Sequence, residues 1–241
     1  MADFDIWIIL LGLAAGGVLL LRDWRLTVSL LMIKYIALAA LLNEQPFIPA
    51  DLGPLGLSSL ALIKAITGLC TTLILAVTAL TFSRDYGLED LDEFGQAELR
   101  RALRAAARQR SAETFQLIDY ILPFLSGIAA LGASIVLPII YPIAPNPALD
   151  FAWYWLALSG VLTIATASDV LKIGLGMILC ISGIDLLYSA VISAPAGSGL
   201  KIMPLLLLSV VQILLALAIA YLAGLVFGRL KTLAINELYR G

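Results

Sequence analysis

The stretch LKIGLGMILCISGIDLLYSAV, from Leu171 to Val191, has the length and composition of a membrane-spanning helix. At a rise of about 1.5 Å per residue it reaches roughly 30 Å, the thickness of the hydrocarbon core of a bilayer. Asp185 stands well inside this apolar run, and the nearest charged residue in the sequence is Lys172. An ionised carboxylate at such a depth costs several kcal/mol unless it is paired or hydrated. The stretch therefore predicts a transmembrane helix that carries a polar site.

The rest of the chain has the same apolar character. Of its 241 residues, 61% are hydrophobic and 13% are charged. The apolar residues fall in blocks of about 18 to 28, long enough to cross a bilayer. We expect an all-α polytopic membrane protein with about seven transmembrane helices, at 4–21, 26–42, 57–82, 114–141, 151–167, 170–193 and 203–229.

The basic residues of the connecting segments alternate along the chain. Lys and Arg occur in 22–25, in 83–113 and after 229, whereas 43–56 and 142–150 contain none. Lys201 is the exception to this alternation. Because positively charged loops stay in the cytoplasm, the pattern predicts an outside N-terminus and a cytoplasmic C-terminus.

The residues that usually carry enzyme chemistry are scarce in this chain. There is no histidine, and the two cysteines, Cys70 and Cys180, lie inside predicted spans. Two buried apolar thiols or a disulfide between them are both compatible with this placement. We find no nucleophile–base set and no phosphate-binding loop. The sequence thus predicts a non-catalytic chain without a cofactor or metal of its own. Its net charge of −2 indicates no nucleic-acid partner.

An internal repeat appears when the sequence is shifted by 145 residues. LTVSLLMIKYIALAALL (26–42) then lies over LKIGLGMILCISGIDLL (171–187), with seven identities in seventeen positions. Helices 1–3 and 5–7 would form two parallel three-helix units, a recurring arrangement in membrane transport proteins. Coincidence between two Leu/Ile-rich spans is the alternative.

Residues 83–113 form the one long polar segment of the sequence. Its second half predicts an amphipathic helix, because four arginines fall on one face at helical spacing. These are Arg100, Arg101, Arg104 and Arg108. Such a helix would lie on anionic headgroups or dock a partner subunit. A solvated linker helix is the plainer interpretation.

Five polar residues within the predicted spans are candidates for an ion path or for buried ion pairs. They are Lys34, Lys64, Asp119, Asp185 and Gln212. Counted from the outer helix ends, Lys64, Asp185 and Gln212 all lie about 10–14 Å deep, so we expect them to meet in one cluster. There, Lys64 would neutralise Asp185 as a static bridge or as a step in a proton or cation path. Lys34 and Asp119 would form a second, inner pair, unless Lys34 snorkels to the surface.

Several of these segments resemble subunits of complex I-like assemblies. The stretch from Leu171 to Val191, followed by MPLLLLSVVQILLALAIAYLAGLVFGRLKTL, resembles the K subunit of complex I and the C subunit of Mrp-type antiporters. The ending NELYRG is similar to the C-terminus of that group. DWRL (23–26) and LSSLALIKAITGL (57–69) resemble component E of hydrogenase-4-type complexes, which is longer and covers most of the chain except 83–113.

The resemblance implies a non-catalytic subunit in a prokaryotic cytoplasmic (inner) membrane. Its partners would be antiporter-like subunits and chains of a hydrogenase or dehydrogenase module, besides the lipid bilayer itself. The corresponding layout is an N-terminal three-helix unit (1–82), an Arg-rich cytoplasmic segment (83–113), a linking transmembrane helix (114–149) and a K-like three-helix unit (150–241).

The chain also departs from the family pattern. Gly176 stands where a glutamate is expected after IGL, and Gln212 replaces the glutamate of the last helix. The resemblance then leaves two interpretations. Either the proton relay of the family has moved to Asp185 and Lys64, or this chain is a scaffold subunit that conducts no ion. An autonomous small-solute transporter is a third reading.

Overall fold

The structure of the chain is a computed structural model, and it describes residues 6–21, 23–44, 58–85, 117–167, 169–193 and 202–230. These residues form seven α-helices. They are α1 (Ile6–Leu20), α2 (Trp24–Asn43), α3 (Ser59–Asp85), α4 (Leu117–Ile140), α5 (Pro147–Ala165), α6 (Val170–Ser193) and α7 (Ile202–Leu230).

Six of the seven helices are long and apolar enough to cross a membrane. The exception is α1, whose 15 residues extend about 22 Å, less than the ~30 Å of a hydrocarbon core. The all-α class is therefore confirmed for the described residues, and the chain has the helices of a polytopic membrane protein.

Local capping signals set where two of these helices begin. The Asp23 carboxylate accepts a hydrogen bond from the Arg25 backbone N–H at 3.0 Å and caps α2. Asn146 caps α5 in the same way through the N–H of Ala148, at 3.0 Å, and Pro147 occupies the first turn. The predicted start of this helix at 151 was wrong by one turn, because Asn-Pro is a helix-start signal that hydropathy does not register.

Within each half of the chain, consecutive helices pack on one another. In the N-terminal half, α2 lies between α1 and α3, and in the C-terminal half α6 lies between α5 and α7. The two halves meet where α1 packs on α5 and where α3 packs on α7. At the first of these contacts, Trp155 Nε1 donates a hydrogen bond to the Gly12 carbonyl oxygen at 3.1 Å. The linking helix α4 packs on α5 and touches α1, and only Ala130 and Ser134 of its apolar span are buried.

Glycines bring α5 and α6 into backbone contact. A Cβ atom added to Gly160 would lie 2.8 Å from the Gly176 carbonyl oxygen, and one added to Gly176 would lie 2.8 Å from the Gly160 carbonyl oxygen. A Cβ at Gly183 would come within 2.9 Å of the Ala157 backbone nitrogen. Close approach through small residues is how helices gain packing energy in a bilayer, where lipid competes equally for apolar side chains.

The described residues do not include the Arg-rich segment. Arg100, Arg101, Arg104 and Arg108 lie outside them, so the amphipathic helix stays a prediction. Cys70 and Cys180 are both free thiols. The disulfide alternative is therefore wrong, and Cys180 instead contacts the Ala157 carbonyl oxygen at 3.7 Å.

The glycine contact predicts a large effect from a single methyl group. Gly176→Ala should lower the free energy of unfolding by about 1–3 kcal/mol, because the new Cβ forces α5 and α6 apart. Gly224→Ala on α7 is the matched control, since a Cβ there meets nothing within 4 Å. Thermal unfolding in detergent checks this: equal melting temperatures for the two variants would contradict the packing described here.

Candidate functional site

An ion pair joins the two halves of the chain inside the helix bundle. Lys64 Nζ on α3 lies 2.5 Å from Asp185 Oδ2 on α6, and the two side chains are 1% and 0% exposed. Neither side chain reaches the protein surface. A lysine from the other half of the chain therefore takes the place of water in neutralising the Asp185 carboxylate.

Hydrogen bonds from α2 and α7 complete the surroundings of the pair. Lys64 Nζ donates to Ser209 Oγ at 3.2 Å, and Gln212 Nε2 donates to Asp185 Oδ2 at 3.3 Å. Gln212 Oε1 in turn accepts from the Tyr35 hydroxyl at 2.8 Å. Buried polar atoms are costly unless partnered, and this chain of bonds across four helices partners the polar atoms of the site except Asp185 Oδ1.

Lys34 lies at the same site rather than apart from it. Its side chain is fully buried, Nζ donates to Ser182 Oγ at 2.7 Å, and Nζ sits 3.3 Å from the centroid of the Tyr35 ring. The ring face offers a cation an additional favourable contact. The snorkelling alternative for Lys34 is therefore wrong. Asp119 belongs to α4, but its side chain lies outside the described residues, so its pairing with Lys34 stays a prediction.

We refer to these seven side chains as the buried cluster. Its members are Lys34, Tyr35, Lys64, Ser182, Asp185, Ser209 and Gln212. With the two lysines and the single carboxylate charged and Tyr35 neutral, the buried cluster has one net positive charge. Asp185 Oδ1 is buried and has no hydrogen-bond partner among the described residues. The buried cluster thus combines excess positive charge with a carboxylate oxygen that can still accept a proton.

Helix spacing explains how the sequence assembles the buried cluster. On α6, Ser182, Asp185 and Ser189 are three and four residues apart and share one buried face. On α7, Ser209 precedes Gln212 by three residues in the same way. Gly68 on α3 has no side chain, and a Cβ there would overlap the ring of Tyr35. This glycine lets Tyr35 lie against α3, within reach of Gln212 on α7.

Sequence reasoning named Lys34, Lys64, Asp185 and Gln212, and the structure brings all four together. It missed Tyr35, Ser182 and Ser209. The two serines carried a usable signal, because each lies one helical turn before a residue already singled out. No such signal marked Tyr35. It directly follows Lys34, and neighbouring residues of a helix point in directions about 100° apart.

Position 176 has no room for the carboxylate that the family pattern leads one to expect. Besides the Gly160 contact, a Cβ there would lie 2.7 Å from Ile164 Cγ1. Gly176 belongs to the α5–α6 contact, whereas Asp185 points toward α3 and α7. Among the described residues, no group of three or more His, Cys, Asp or Glu side chains is placed to hold a metal ion.

Comparisons of the chain with protein-family models, with curated proteins and with solved structures find no match.

The buried cluster predicts unequal costs for removing its charges. Lys64→Met should cost about 3–5 kcal/mol of unfolding free energy, as expected when one partner of a buried pair is lost. Asp185→Asn should lower the free energy of unfolding further, because it removes the only carboxylate of the buried cluster and leaves Lys64 and Lys34 without an opposite charge. Denaturation in mixed micelles measures both values.

The combined variant provides the control. Lys34→Met, Lys64→Met and Asp185→Leu together remove every charge, and stability should recover to near the wild-type value, since hydrophobic side chains replace a buried pair well. Additive losses in this triple variant would show that the three groups do not interact.

Proposed function

We propose that this chain is a non-catalytic integral membrane subunit of a complex I-like proton- or cation-translocating complex, of hydrogenase-4 or Mrp type. It packs beside antiporter-like subunits, and the buried cluster contributes to the ion path. The observation that carries the proposal is the Lys64–Asp185 pair, which lies at the junction of the two halves with a second lysine beside it.

The free-energy cost of placing three ionisable groups inside the helix bundle supports a functional role. Ionisable groups inside membrane helices are expensive, and they mark ion and proton pathways more often than they mark inert packing. Here three such groups occupy one site with unbalanced charge. Polar contacts of 2.5 to 3.3 Å form a continuous chain through the site. They join Tyr35 to Gln212, Gln212 to Asp185, Asp185 to Lys64 and Lys64 to Ser209. A proton that enters at one member changes the field felt by the others.

The helix arrangement supports the proposed parallel repeat. Pairing α1 with α5, α2 with α6 and α3 with α7 maps every main contact within one half onto a contact in the other. The two halves touch most extensively through α1–α5 and α3–α7, which are equivalent helices under that pairing. Lys64 and Ser209, which are 145 residues apart, hydrogen bond directly. Equivalent positions touch where a two-fold axis passes, and in the proposed topology that axis runs along the membrane normal.

A structural scaffold is the second candidate function, and the burial and additional hydrogen bonds of the ion pair favour it. Both charged groups are fully buried and each has an additional hydrogen-bond partner, Ser209 for Lys64 and Gln212 for Asp185. Such a bridge fixes the register of α3 against α6 without moving any ion. In this role the subunit anchors its partners in a respiratory or transport complex.

Copurification tests membership in such a complex. A C-terminal affinity tag on the full chain should retrieve antiporter-like subunits together with hydrogenase- or dehydrogenase-module chains, identified by mass spectrometry after mild solubilisation. The same tag on an unrelated multi-pass protein of the same membrane is the control. Recovery of this chain as a monodisperse species free of such subunits would contradict the proposal.

Ion translocation in vesicles that contain the assembled complex separates relay from scaffold. We expect the charge-free triple variant to assemble and to lose at least about tenfold in translocation rate, because the carboxylate and both lysines are gone from the site. The exchange of Lys64→Asp with Asp185→Lys keeps both protonatable groups and should retain more activity. Wild-type translocation in an assembled triple variant would establish the scaffold role instead.

A further inference from the structure

A second feature of the molecule lies away from the buried cluster, on the side of the bundle where α4 joins α1 and α5. Here an apolar groove with a volume of about 660 Å³ opens between the three helices, and Leu30 of α2 also lines it. Every lining residue is apolar or glycine, and those that shape the groove are Gly12, Gly16, Leu13, Phe124, Gly127 and Trp155. Its volume falls in the range of roughly 300–1,000 Å³ that ligand pockets occupy.

The groove is long, and its rims are exposed on the outside of the bundle. Its lining runs along α1 from Ile8 to Leu20, which corresponds to about 18 Å of helix. That length is slightly more than one leaflet of the ~30 Å hydrocarbon core. Leu13 and Phe124 on its rims are 70% and 58% exposed. An acyl chain of one leaflet has the chemistry and the reach to fill it.

One end of the groove lies close in sequence to the exposed Arg25, in the first turn of α2. The lining ends at Leu20 and Leu21, and α2 begins three residues later at Trp24. The exposed Arg25 guanidinium lies 5.3 Å from the centroid of the Trp24 ring, while the neighbouring Asp23 carboxylate is engaged in capping α2. Tryptophan suits the headgroup depth of a membrane, and arginine binds phosphate in a bidentate manner.

We infer that the groove binds one acyl chain of an anionic phospholipid, with the lipid phosphate held by Arg25. This inference is independent of the proposed ion-translocating role. A transmembrane helix of another chain is a poorer fit. A helix about 10 Å across and equally long occupies roughly 1,400 Å³, about twice the groove.

Matched glycines on α4 allow the groove to be filled without disturbing the rest of the helix. A Cβ at Gly127 would make an ordinary 3.5 Å contact with Leu19 Cδ2, so Gly127→Leu should extend into the groove. Gly132 on the same helix is exposed, lies outside the groove lining and has nothing within 4 Å of an added Cβ. Gly132→Leu is therefore the control for any general effect of leucine on α4.

The test is native mass spectrometry of the full chain, purified in detergent with equal amounts of phosphatidylglycerol and phosphatidylcholine. Wild type and Gly132→Leu should each retain one phosphatidylglycerol molecule per chain. The lipid-bound fraction of Gly127→Leu should be about tenfold lower, because the leucine side chain occupies the site. Arg25→Gln should abolish the preference for phosphatidylglycerol, and Arg25→Lys should keep most of it. Equal retention of both lipids by the wild type, or wild-type retention in Gly127→Leu, would overturn the inference.

A photoreactive acyl chain provides a readout that needs no variant. Phosphatidylglycerol with a diazirine near the middle of its chain should label peptides containing Leu13 or Phe124 in wild-type membranes. Labelling elsewhere on the bundle, or cross-linking of Leu13 to another polypeptide in place of lipid, would overturn the inference as well.

Discussion

The ion pair between Lys64 and Asp185 is the constraint around which the rest of the bundle is arranged. Removing each charge from water costs several kcal/mol, and the pair recovers this only with short contacts and further hydrogen bonds. The 2.5 Å contact and the bonds to Ser209 and Gln212 meet that requirement. Because these four residues lie on three helices, the pair fixes the depth of α3, α6 and α7 relative to one another.

The charges of the buried cluster are divided unequally between the two halves. The N-terminal half contributes both lysines, and the C-terminal half contributes the carboxylate and the amide. The residues 145 positions from Lys64 and Asp185 are Ser209 and Ala40, which carry no charge. The charged groups that the two halves bring together are therefore complementary rather than alike.

The sequence was sufficient for the features that depend on length and depth. Apolar blocks located all seven helices, and a constant rise per residue correctly placed Lys64, Asp185 and Gln212 at one level. It was insufficient for features set by rotation about the helix axis. Lys34 was assigned to a separate inner site because its depth differs, yet its long side chain crosses that difference to reach Ser182. Tyr35 reaches Gln212 only because Gly68 gives its ring space, a contact between helices that spacing along one helix does not encode.

The same rotational reasoning explains why Asp185 does not simply replace a glutamate at position 176. Nine residues separate the two positions, which at about 100° per residue places them on opposite faces of α6. The face of Gly176 is closed by backbone contact with Gly160 on α5, and Gly183 continues that contact two turns later. A carboxylate there would push α5 and α6 apart. The face of α6 that carries Asp185 lies toward α3 and α7. There Asp185 forms its ion pair with Lys64 and accepts a hydrogen bond from Gln212. The polar site of this chain therefore lies at the junction between its two halves, where side chains of α2 and α3 meet those of α6 and α7.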